Sequence, residues 1–265
     1  CFRNRKYMKN LLPGIEENPR GNEKNCSPTE KSDLESWRPK RLFRTCISSL
    51  CNSTAFGRMM EAEADSRGFF AAEKSAFVCD GLQYNWTIQK RHFPTFTAIL
   101  DFAHALERVY EAARATKQEP EDAWQQYVDW ATACWEGRAN DMLTQLRLEQ
   151  QRLGPPPKDC EEKDPRKVLA EAITYFANNI ARMNYPLYRR DGLPLTSAYM
   201  ESFVKEMNKR VKGTEKFWND GPSAEAILQL RAAKLSDDDR LRNHMRSRPG
   251  NPFRPNVKKS LSVVA

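Results

Sequence analysis

No stretch of this 265-residue chain is long and apolar enough to span a bilayer. The opening residues, CFRNRKYMKN, hold no apolar core, which argues against a secretory signal. There is no C-x-x-C pair. The seven cysteines stand at irregular spacings, and the three histidines (His92, His104 and His244) are scattered. That pattern argues against a zinc site and against a disulfide framework, so the thiols read as reduced and cytosolic. The sequons at Asn52 and Asn85 then carry no glycan, since that chemistry belongs to secreted chains. No internal repeat is present. An initiator methionine is also lacking, the first Met being Met8. The expectation is that an upstream part of a longer protein is missing.

What is present is an ordinary globular composition, 40% apolar and 29% charged, with a net charge of +8. A basic balance points to an anionic partner, nucleic acid above all, although charge of this size also serves solubility. Residues 1–40 are polar, with Pro, Gly and Asn, and read as a poorly structured leader. From Arg41 the pattern changes. RLFRTCISSL reads as a strand, and residues 54–68 as a helix with Phe56, Met59, Met60 and Ala64 on one face. SAFVCD ends a short apolar run on Asp80, and TAILD ends another on Asp101, with a helix around Trp86–His92 between them. Residues 102–182 read as nearly all helix, broken by GPPP at 154–157. Trp124, Trp130 and Trp135 of this block are assigned to its core. A turn at DGLP precedes one last important helix from about Ser197. The alternation of strand and helix predicts an α/β class with parallel strands.

Carboxylates that end buried strands sit where open α/β sheets gather their sites. Asp80 and Asp101 are both so placed, and a hard cation such as Mg²⁺ takes oxygen ligands of this kind. An Asp at a strand end serves equally well to start a turn or cap a helix. In the last helix Met200, Phe203, Val204, Met207 and Val211 form an apolar stripe, and Glu201, Lys205, Asn208 and Lys212 form a polar one beside it. That spacing puts Glu201 at the margin of the packed face. The bland reading is a favourable interaction with the helix N-terminus.

Several separated blocks then match one pattern in order. FRTCISS, AFGRMMEAEADSRGFF, AFVCDGLQYNW, HFPTFTAILDFAHALERVYEAA, GLPLTSAYMESFVKEMNKRVKGTEKFW and EAILQLRAAKLSDDDRL resemble bacterial insertion-sequence transposases of the Mutator-like DDE group, over about residues 37–248. The resemblance implies a ribonuclease-H-like core with a large all-helical insertion before the Glu-bearing helix. It implies part of that core at 41–104, the insertion at 105–195, C-terminal core helices at 196–236 and a disordered basic tail at 237–265. It makes Asp80 the second catalytic Asp and Glu201 the catalytic Glu, both metal ligands. Asp101-Phe102-Ala103-His104 stands where related families carry C-x-x-H, so Asp101 and His104 would support the site or touch DNA, and Asp101 is the rival for the second catalytic position.

The family's first catalytic Asp lies upstream of the FRTC segment. The only Asp in residues 1–40 is Asp33, in the polar run EKSDLES. The first two strands of the core also have no counterpart, and the expectation is a truncated or decayed copy. In intact relatives three carboxylates would hold two Mg²⁺ (or Mn²⁺) ions for phosphodiester cleavage and strand transfer. With Asp80 and Glu201 alone, weak or absent catalysis is expected. Lys205, Lys209, Arg210, Lys212 and Lys216 form a basic cluster suited to DNA phosphate, and basic residues continue from Arg240 to Lys259. The implied partners are transposon-end and target DNA, with a homo-oligomer on DNA possible in this family, no membrane, and a location at the bacterial nucleoid in the cytoplasm. Two other readings stand beside this one: a non-enzymatic DNA-binding remnant that regulates a full-length relative, and a cellular nuclease with the same core.

Overall fold

The structure, a computed structural model, describes residues 43–212 and 221–250. The expectations for residues 1–40, for Lys216 and for residues 251–265 lie outside them. In chain order the elements are α1 (Ser53–Ser66), β1 (Ala76–Cys79), α2 (Gln83–His92), β2 (Thr97–Leu100), α3 (Phe102–Thr116), α4 (Pro120–Trp135), α5 (Ala139–Leu153), α6 (Pro165–Asn179), α7 (Tyr185–Arg190), α8 (Ala198–Val211), α9 (Gly221–Leu235) and α10 (Arg240–Ser247). The described residues are mostly helical with two parallel strands. The described residues divide into two compact units, one formed by 70–197 and the other by 43–69 with the segments from 198 onward.

In the first unit β1 and β2 pair in parallel, Ala76 opposite Thr97 through Cys79 opposite Leu100. Parallel neighbours need a crossover, and α2 supplies it. Ile99 and Leu100 are fully buried, as strands covered by helices should be. Beyond the sheet, α3 packs on α4 and α6, while α5 packs on α4 and α6, which closes a ring of four helices. Its core joins Val109, Trp130, Met142, Leu146, Leu169 and Phe176 to the strand residues in one cluster. Three of these helices start for a local reason. Asp101 and Asp164 cap α3 and α6 through their side chains, and Pro120 and Pro165 occupy first-turn positions that need no N–H. Gly154 ends α5 at a φ of +83°, ahead of three prolines. Trp130 is buried and Trp135 packs against the cluster, but Trp124 is 39% exposed. The buried face of α4 runs through Ala123, Tyr127, Trp130, Ala131 and Cys134, which turns Trp124 to its rim against Tyr127.

In the second unit Phe203 and Met207 of α8 pack with Ala232 of α9 and with Cys46. The segment read as a strand, described here over residues 43–50, has no strand partner among the described residues. Its backbone is satisfied differently. Arg44 N–H donates to Asp237 Oδ2, Cys46 N–H to Ser236 Oγ, and Leu50 N–H to Glu225 Oε2. Side chains of α9 and its C-terminal turn thus take the place of a ladder. Within the span 237–265 read as a structureless tail, residues 240–247 form α10. Its first residue explains this: the Arg240 guanidinium is held by Glu63 Oε1 at 2.6 Å and by Asp238, and Asp238 also binds Arg67.

Candidate functional site

The parallel strands both run out at the same edge, and this edge presents the two acids singled out from the sequence. Their surroundings differ completely. Asp80 follows β1 and is half-buried. Its Oδ1 accepts from Leu82 N–H at 3.1 Å and from Asn85 Nδ2 at 2.9 Å. Its Oδ2 accepts no hydrogen bond among the described residues. One oxygen is therefore fixed and the other is available, the arrangement of a carboxylate oriented to accept a further ligand.

Asp101 is 1% exposed. Its Oδ1 caps α3, accepting from Ala103 N–H at 2.7 Å and His104 N–H at 3.3 Å. Its Oδ2 accepts from Ser197 N–H at 2.7 Å and from the Ser197 hydroxyl, with His104 Nδ1 3.5 Å away. A carboxylate has about four lone-pair directions, and here all of them are directed at donors of the chain. The neighbouring backbone reinforces the closure, since Phe102 N–H donates to Leu195 O and Asp101 N–H to Cys79 O. Asp101 is a clasp between the end of β2 and the segment 195–197. His104 Nδ1 is buried with no hydrogen bond of its own, while the side chain is 36% exposed.

Gly81 shapes the edge next to Asp80. Its φ is +90°, and a Cβ there would lie 2.8 Å from Tyr175 Cε2 and 2.9 Å from Leu100 Cδ1. Tyr175 uses that closeness to donate its hydroxyl to the Asp80 carbonyl at 2.9 Å, and the Arg108 guanidinium stands over its ring. Burial raises the Tyr175 hydroxyl above the ordinary phenol range, with only the Arg108 charge opposing and the charges of Asp80 and Asp101 adding to it. Burial likewise pushes the Cys79 thiol up to about 12, so Cys79 stays a neutral packing group beneath the edge. Of these partners Gly81 was visible as the residue after Asp80. Asn85, Tyr175 and Ser197 carried no signal, because the last two reach the edge from 95 and 96 residues away.

Glu201 belongs to the second unit, in the first turn of α8, and is exposed. The apolar stripe of α8 is buried only along Phe203 and Met207, whereas Met200 and Val204 are 58% and 44% exposed. That rotates Glu201 away from the packed face, not onto its margin. Lys205, Lys209 and Lys212 are also exposed, and Arg210 has its backbone in α8. Among the described residues no group of three acids, histidines or cysteines converges on a common point. No helix among them is long and apolar enough to cross a membrane. Comparison with family models, curated proteins and solved structures finds no match.

Proposed function

We propose that the chain is a portion of a DDE-type DNA transposase, with Asp80 and Glu201 as metal-binding carboxylates on a ribonuclease-H-like core. The single observation that carries this reading is the contrast at the strand edge. Two acids occupy equivalent positions, and only Asp80 keeps an oxygen free while the other oxygen is held. A divalent ion such as Mg²⁺ fits there, because it keeps several waters and takes one or two carboxylates. When bound, it would supply Lewis-acid stabilisation of a phosphate oxygen. The chain's own groups do the rest at the strand edge: Asn85 and the Leu82 N–H orient Asp80, and Tyr175 fixes the backbone beneath it. Lys205, Lys209 and Lys212, exposed on α8, are proposed as contacts to DNA phosphate. Asp101 is assigned to the clasp and not to the metal. A nucleoid location and DNA as partner follow from the same reading.

Manganese titration followed by water-proton relaxation tests the assignment. Asp80→Asn should weaken Mn²⁺ binding by about tenfold or more, equal to about 1.4 kcal/mol. Glu201→Gln should weaken it in the same direction. Unchanged binding in Asp80→Asn would sink the reading. A plasmid-nicking assay adds the chemical readout: slow or absent Mg²⁺-dependent nicking is expected, and robust turnover abolished by Glu201→Ala would show a more complete site than the one proposed.

A further inference from the structure

The positive charge of the chain is concentrated in one place. Residues 240–265 hold seven of the 43 basic residues and none of the 35 acidic ones, so they account for seven of the eight net positive charges. The remaining 239 residues are close to neutral. Within the described part of this stretch the cations are not equivalent. Arg240 is committed to Glu63 and Asp238 and fixes the start of α10. Arg242 makes an exposed pair with Asp239. Arg246 and Arg248 are exposed and make no ion pair among the described residues, and His244 beside them is exposed as well. The helix is anchored at one end by a half-buried ion network and presents unpaired guanidinium groups at the other.

We infer that α10, with Arg246 and the adjoining Arg248, forms the main contact of this chain with nucleic-acid backbone, ahead of the lysines of α8. The macrodipole accounts for one or two cations in a last helical turn. It does not account for 26 consecutive residues without an acid. Guanidinium groups match phosphate oxygens in planar, two-point fashion and remain charged at all working pH values. A basic amphipathic helix also suits an anionic membrane, but α10 offers only Leu241 and Met245 as apolar residues, too little surface to hold a helix in lipid. A polyanion read through its phosphates, without base specificity, is the partner that these residues fit.

The inference rests on the proposed DNA-directed function, and one experiment separates the two. Fluorescence anisotropy with a random-sequence duplex of roughly 30 base pairs is followed against salt for the full chain, for Arg246→Gln/Arg248→Gln, and for Lys205→Gln/Lys209→Gln; each phosphate contact contributes about 0.9 to the slope of log K on log[salt]. The arginine pair should lower the slope by about 1.8 and weaken binding at 0.1 M salt roughly 50-fold, whereas the lysine pair should cost less than half of that slope. Circular dichroism of each variant confirms that the helices are retained. An unchanged slope in the arginine pair, with the full chain still binding, overturns this inference and leaves the DNA-directed reading standing. A full chain that binds no duplex overturns both. Vesicles containing anionic phospholipid are titrated in parallel, and binding there that exceeds duplex binding and is lost in the arginine pair overturns the assignment to nucleic acid.

Discussion

Replacing Asp101 by Asn removes one charge and almost no volume, and its effect can be worked out atom by atom. The Asn carbonyl can still cap α3, keeping the bonds to Ala103 N–H and His104 N–H. The amide nitrogen then faces Ser197, whose N–H and hydroxyl both donate to Oδ2 in the wild type. The hydroxyl can turn to accept. The N–H cannot, and a half-buried donor left unpaired costs about 1–3 kcal/mol. Losing the charge of the acceptor weakens the cap as well, because bonds to ionised groups are worth about 1.5–3 kcal/mol against about 1 for neutral ones. The expected loss is about 2–4 kcal/mol. Urea unfolding read by tryptophan fluorescence is the assay, since Trp86, Trp124, Trp130 and Trp135 all lie among the described residues of the unit that holds Asp101. The midpoint should fall with little change in slope. Ser197→Ala, which removes only the hydroxyl donor, should cost about 1 kcal/mol. Mn²⁺ binding should persist in folded Asp101→Asn. Stability within about 0.5 kcal/mol of wild type, together with lost metal binding, would refute the reasoning and hand the ligand role to Asp101.

Two further expectations test other parts of the structure. Gly81→Ala meets a left-handed φ of +90° and two side-chain atoms within 3 Å; strain and overpacking together should cost about 2–4 kcal/mol, measured by the same urea titration, and a neutral result would show that the edge is looser than drawn. In the second unit burial pushes the carboxyls of Glu63 and Asp238 up, but hydrogen bonds from Arg240 and Arg67 outweigh it and hold both below their ordinary values. A depressed folded pKa contributes stability above the unfolded value that is lost as pH falls through the folded one. Protection of amides in residues 43–67 against hydrogen exchange, taken relative to their intrinsic rates, should therefore fall below about pH 4.5, more than that of β2, and equal responses in the two segments would refute the network's role.

Local periodicity carried most of the secondary structure into view. The apolar repeats at Leu106, Val109 and Ala113 are buried because a 3.6-residue period can face only one neighbour, and the runs AFVC and TAIL are strands because they are short, apolar and bounded by turns. The failures share one physical cause. Residues 43–50 have a strand's composition, but a strand needs a partner, and the donors of Arg44, Cys46 and Leu50 are met by Asp237, Ser236 and Glu225 from about 175–193 residues away. Likewise the five-residue apolar stripe of α8 predicts which residues can be buried, not which are: α9 and Cys46 cover Phe203 and Met207 and leave Met200 and Val204 open.

The strand-end acids show what that limit means for a site. Asp80 and Asp101 have the same local signature, four β-forming residues and then an acid, and nothing within the neighbouring residues separates a ligand from a cap. The distinction is made by Tyr175, near the end of the helical block, and Ser197, which lies beyond it. Tyr175 takes the Asp80 carbonyl and leaves its carboxylate alone, while Ser197 takes the Asp101 carboxylate and closes it. A carboxylate's chemistry is set by how many of its lone pairs the fold has already used. On that criterion a strand-end Asp becomes a candidate ligand only when the returning chain bonds to its backbone and spares its side chain, and at this edge Asp80 alone meets it.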